Sequence, residues 1–128
     1  MPPAVTHYCW TCYATVDGPH GRCPACGGPI EPPAGSDYTD RLIWAPGHPL
    51  ADRRMVAAHT LGERGDRRAL PALRRLLADP DSHLAAAALE AVVRIDGVES
   101  SRDLLVEMAA GGPAMVRAAA RRLLAEPG

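Results

Sequence analysis

Four cysteines stand in two pairs, Cys9-x-x-Cys12 and Cys23-x-x-Cys26, with the ten residues 13–22 between the pairs. Two residues between cysteines let both thiolates of one tight turn face a single ion. Backbone N–H groups of the same turn can donate to the sulfurs. Two such turns face to face make a tetrahedral shell of four sulfurs, which suits zinc. The same shell also suits a mononuclear iron, the lesser alternative, and two disulfides are the third arrangement. A catalytic zinc keeps a position open for water or substrate. Four thiolates leave none, so Cys9, Cys12, Cys23 and Cys26 are the candidate ligands of a structural metal. His7 and His20 lie nearby in sequence but are not needed as ligands, and both are expected at the surface.

The second turn reads Cys23-Pro24-Ala25-Cys26-Gly27-Gly28. Pro24 fixes the turn and Gly27 can take the positive φ that follows the second ligand. The first turn, Cys9-Trp10-Thr11-Cys12-Tyr13, lacks that glycine. Asp17-Gly18-Pro19-His20-Gly21 reads as a loop tip, and Tyr8, Trp10, Tyr13 and Val16 can cover a short hairpin. Residues 7–30 resemble the zinc ribbon, or rubredoxin-like knuckle, family, with a gap short for that family. A module of this size cannot bury enough core alone, and a bound metal would supply the missing folding energy. Arg22 is the module's one basic residue, against Asp17 and Glu31, a poor footprint for phosphate.

Glu31-Pro32-Pro33-Ala34-Gly35-Ser36-Asp37 has the composition of a linker. It divides a zinc ribbon at 1–30 from a helical region at 38–128. Ala and Leu dominate the apolar residues, Phe is absent, and Val and Ile are few, so the chain favours helix over strand. Helices are expected at about 38–45, 52–63, 68–78, 82–95, 101–110 and 114–125. Pro71 suits a first helical turn, Ser100 or Ser101 can cap the fifth helix, and Gly97 can end the fourth.

The helices repeat. Arg54-x-x-Ala57-x-x-x-Leu61-Gly62 recurs as Ala85-x-x-Ala88-x-x-x-Val92-Val93 and as Arg117-x-x-Ala120-x-x-x-Leu124-Ala125. In each copy a small residue and a larger apolar one lie four apart on one helix face, so a neighbouring helix can approach closely. This unit resembles the HEAT-repeat family, in the short form found in phycobilin-lyase-like proteins. Arg53-Arg54-Met55-Val56-Ala57-Ala58, Leu61-Gly62-Glu63-Arg64-Gly65-Asp66 and Leu70-Pro71-Ala72-Leu73 carry the resemblance. It spans roughly 40–126 and is strongest over 52–96. The second copy departs from the pattern at Ala85 and Val93. Residues 40–45 look like the last helix of a truncated leading unit. The resemblance implies an all-α solenoid whose concave surface holds a protein. It places the Ala-rich helix at 84–93 deepest, with Trp44 over the open N-terminal end.

Fourteen basic residues, all Arg, face fifteen acids, so no global charge draws nucleic acid or an anionic membrane. Locally, residues 41–75 hold eight Arg and three acids, whereas 79–107 hold seven acids and two Arg. Arg53, Arg54, Arg67, Arg68, Arg74 and Arg75 come in adjacent pairs and could form a basic patch. A nucleic-acid-associated module using residues 53–75 is therefore the first alternative to a protein partner, and an accessory subunit of an enzyme the second. Some HEAT relatives are metal-dependent hydroxylases built on His-Glu pairs. Here Thr60 follows His59 and Leu84 follows His83, so that activity does not carry over. Bilin-lyase activity is not encoded by the repeat motif either. No phosphate-binding Gly loop or nucleophile elbow is present, and His48, His59 and His83 are expected at the surface or as caps. No apolar run reaches the roughly 18 residues of a membrane span. The N-terminal residues lack a basic and apolar leader, and the expected location is cytoplasmic. The sequence thus reads as a non-catalytic adaptor for an unidentified protein partner.

Overall fold

The computed structural model of the chain describes residues 6–17 and 21–126. His20 and the rest of the loop tip at 18–20 lie outside the described residues, as does the side chain of His7.

β1 (Thr6–Tyr8) and β2 (Thr15–Asp17) form an antiparallel hairpin in which His7 faces Val16 and Tyr8 faces Thr15. Among the described residues its buried core is Cys9, Val16, Cys23 and Ile30. After residues 31–37 six helices follow: α1 (Tyr38–Trp44), α2 (Ala51–Arg64), α3 (Leu70–Leu76), α4 (Ser82–Asp96), α5 (Arg102–Gly111) and α6 (Ala114–Ala125). All six expected helices form within a few residues of their expected bounds. The third differs most, because Arg67–Ala69 is a 3-10 turn and the α-helix starts only at Leu70.

Local chemistry sets the boundaries. Asp37 opens α1 with a reciprocal cap: its carboxylate accepts from the Asp40 amide, and that of Asp40 accepts from the Asp37 amide. Asp81 caps α4 through the His83 and Leu84 amides. Gly65, at φ 67°, closes α2 in the left-handed conformation that suits glycine. Ser101 stands at the N-cap of α5, yet its buried hydroxyl makes no cap hydrogen bond and finds no partner among the described residues.

α2, α4 and α6 pack in one row, while α1, α3 and α5 pack against α2, α4 and α6 in turn. This is the two-layer array that the repeat implies. The small repeat positions Ala57, Ala88 and Ala120 are all buried. A Cβ on Gly62 would come within 3.0 Å of the Ala91 Cβ, so α2 and α4 approach closely at this point. One core joins Leu61, Leu73 and Leu84; a second joins Leu89, Leu105 and Val116. α4 contributes to both, and nine of its residues are buried, as its alanine content leads one to expect. Among the described residues no helix is long and apolar enough to cross a membrane.

Candidate metal centre and its seat on the helical array

Each cysteine pair sits in a turn closed by the same two backbone hydrogen bonds. In the first turn the Cys9 amide donates to Ala14 O and the Tyr13 amide to Cys9 O, both at 2.9 Å. In the second the Cys23 amide donates to Gly28 O at 2.9 Å and the Gly27 amide to Cys23 O at 2.8 Å. Amides also point at the sulfurs: Thr11 and Cys12 donate to Cys9 Sγ, Ala25 to Cys23 Sγ, and Gly28 to Cys26 Sγ, at 3.3–3.4 Å. The two turns are stitched together by the Trp10 amide on Ile30 O at 2.8 Å and the Thr11 hydroxyl on Pro29 O at 2.9 Å.

This brings all four sulfurs together, each within 4.8 Å of every other. Cys9 Sγ lies 3.8 Å from Cys26 Sγ, and Cys12 Sγ lies 3.7 Å from Cys23 Sγ. A tetrahedron with metal–sulfur bonds of about 2.3 Å has edges of about 3.8 Å. The separations therefore have the size of a metal–thiolate shell, and all four thiols are free of disulfides. Cys9 and Cys23 are buried, while Cys12 and Cys26 are exposed. Burial resists ionisation of Cys9, but the Cys12 and Thr11 amides and the neighbouring thiols outweigh it and hold its pKa at about 7. At Cys12 the Ala14 amide favours the thiolate. Loss of water and the sulfurs of Cys26, Cys23 and Cys9 prevail, and its pKa is pushed up to about 12.

The turns are alike except at one corner. Gly27 follows the second pair with φ 76°, and Tyr13 follows the first with φ 65°. A bulky residue in this region carries strain of order 1–3 kcal/mol. The Tyr13 ring accounts for its presence. It stacks on Trp44 with centroids 4.7 Å apart, and its hydroxyl donates to Trp44 O at 2.7 Å. Trp10, from inside the first cysteine pair, also stacks on Trp44 at 5.1 Å and 5°. The Trp44 indole N–H donates back to Trp10 O at 2.7 Å. A Cβ on Gly47 would run into the Tyr13 hydroxyl and Cζ, so a glycine there makes room for the ring. The four-cysteine module thus sits on the first helix of the array, through residues that belong to the cysteine turn itself. Trp44 is covered in turn by Trp10 and Tyr13.

His48 joins the same seat. Of the two expected positions, surface or cap, it takes the second and is not exposed: it closes the 3-10 turn Ala45–Gly47, and its side chain is buried against Tyr8, 4.2 Å away between ring centroids, and edge-on to Trp44. Its Nδ1 accepts from the Leu50 amide at 3.1 Å, at the entrance to α2. Burial, then the charges of Arg53 and Arg54, hold its pKa below the ordinary value. His59 and His83 are exposed, as expected.

The six paired arginines do not form an open basic patch. Arg54 pairs with Asp79 at 3.2 Å, Arg67 and Arg74 with Asp96 at 2.8 and 3.6 Å, and Arg68 with Asp66 at 2.8 Å. Arg53 and Arg75 alone of the six lack an acid partner among the described residues.

Residues 39–125 match the family of HEAT repeats. This stretch covers well over half of the chain and all of α2 to α6. The chain belongs to the HEAT-repeat family. No curated protein and no solved structure gives a significant match. The HEAT array has an open face on the α2–α4–α6 row, with a groove of about 450 Å³. Ala86, Ala87, Ala118 and Ala119 line it, with Met55 and Met115 at opposite ends of the row. Arg122 and Glu90 pair across its side.

Proposed function

We propose that this chain is a non-catalytic protein–protein interaction adaptor, built from a structural zinc ribbon seated on a short HEAT array. The single observation that carries the reading is the open α2–α4–α6 groove. Small side chains let a partner's backbone or helix come close, and the two methionines adapt to its shape. HEAT repeats serve as interaction scaffolds, which supports the same reading. In the ribbon, Cys9, Cys12, Cys23 and Cys26 hold one zinc, for which the 3.7 and 3.8 Å sulfur separations have the right size. With four sulfurs around it the ion has no open position and serves folding rather than chemistry.

Two measurements test this. Metal analysis of protein purified without added metal should give one zinc per chain; iron in its place, or oxidised thiols, would refute the zinc assignment. Cross-linking in the host cell, followed by purification, should give a partner that is lost on Ala118→Arg in the groove. A partner equally bound by that variant would refute the groove as the docking face.

A further inference from the structure

A second and larger cavity, about 930 Å³, lies between the ribbon and the array. This is at the upper end of ordinary ligand clefts, about 300–1,000 Å³. Tyr8 and Trp10 from the ribbon and Trp44 from α1 give it aromatic walls. Val56 on α2 adds an apolar surface that is 62% exposed. The linker Pro32–Ser36 makes a further wall, and Pro32 and Pro33 have no N–H, so it is poor in donors.

Arg41 and Arg53 also line the cleft. Neither has a carboxylate within ion-pair distance among the described residues, whereas Arg54, Arg67, Arg68, Arg74, Arg102 and Arg122 all do. Glu31 is the one acid in the lining. The cleft therefore combines aromatic carbon with a net positive charge that the chain itself leaves uncompensated. Groups of this kind, planar rings and free guanidinium, are those that anchor protein interfaces.

We propose that this cleft binds an acidic peptide segment of a partner protein, with an apolar side chain against Trp10 and Trp44 and carboxylates on Arg41 and Arg53. A nucleic-acid strand fits less well. Its phosphates need a continuous basic track, and here Glu31 interrupts the lining while the neighbouring arginines are already paired. The inference rests on the adaptor reading in taking a protein as partner, but it assigns a surface separate from the α2–α4–α6 groove.

The metal-loaded full chain would be incubated with an arrayed library of degenerate hexapeptides, and the best peptide titrated against tryptophan emission. Trp10 and Trp44 are the only two tryptophans and both line this cleft, so a ligand seated there changes the emission. The expected peptides carry two or more Asp or Glu around one Leu or Phe. They should shift the emission saturably and bind less tightly at high salt. R41E/R53E should weaken them by about tenfold or more, through loss of attraction and new like-charge contacts. Val56→Asp, also at an exposed position, should weaken them while leaving metal content and helix content unchanged. Enrichment of basic or neutral peptides, indifference to R41E/R53E, or tighter binding of oligo-dT than of any peptide would overturn the proposal. A cross-linked partner that is lost on Ala118→Arg but kept by R41E/R53E and Val56→Asp would refute the cleft alone and leave the adaptor reading standing.

Discussion

Tyr13 stands in the first cysteine turn where Gly27 stands in the second, and both have left-handed backbones, at φ 65° and 76°. Glycine takes that conformation without strain, whereas tyrosine does not. The tyrosine is held by its stack and hydrogen bond on Trp44. Replacing Tyr13 with Gly should relieve the backbone and leave the four-cysteine shell able to bind metal. It should also release the cysteine turn from α1. The expected result is unchanged metal stoichiometry with red-shifted tryptophan emission and a lower melting temperature. Tyr13→Phe keeps the stack and should cost only the hydroxyl's hydrogen bond, about 0.5–1.5 kcal/mol.

His48 gives the seat a pH dependence. Its buried ring faces Tyr8, Tyr13 and Trp44, with Arg53 and Arg54 as the charged groups beside it. The folded pKa is lowered, so below the ordinary value of about 6.5 the unfolded chain binds more protons than the folded one. Stability is then present above about pH 6.5 and falls as the pH drops through the folded pKa. Melting temperatures of the metal-loaded protein should decline over this window. His48→Gln, which cannot take up that proton, should have a flatter profile at the same metal content; an equal slope in both would show that other groups set it.

Leu84 on α4 is fully buried in the core it shares with Leu61 of α2 and Leu73 of α3. Leu84→Ala should cost about 2–5 kcal/mol, the range for a large buried aliphatic cut to alanine. Denaturant unfolding followed by circular dichroism measures this. A loss below 1 kcal/mol would mean that the two layers are packed more loosely than the contacts around Leu84 imply.

Much of this was legible in the sequence because the signals are local. The x-x spacing of the cysteines, the apolar periodicity of α2 to α6 and the closing Gly97 lie within a turn or two of what they determine. The rest depends on residues distant in sequence. Nothing near Tyr13 marks it for a positive φ; the reason is Trp44, 31 residues on. The repeat places Trp44 over the open N-terminal end of the array, but the residues that cover Trp44 in turn, Trp10 and Tyr13, come from the cysteine turn. The adjacent arginines suggested an open patch because their acids lie elsewhere: Asp96 is 29 residues beyond Arg67, in the next repeat. Ser101 has the composition of a cap, yet at ψ 3° its backbone is not in the extended conformation from which a hydroxyl reaches the N2 or N3 amide.

The central claim is that the four-cysteine shell and the array's first helix are one linked structure, because Trp10 and Tyr13 belong to the cysteine turn and both stack on Trp44. The most direct test is thermal melting of the HEAT array, followed by circular dichroism, before and after removal of the metal by a chelator. If the four-cysteine module is seated as described, chelation should lower the melting temperature by several degrees, since 1 kcal/mol is worth about 4–8 °C for a domain of this size. Tryptophan emission should shift to the red in the same step. An array that melts at the same temperature with unchanged emission after the metal has left would contradict the claim.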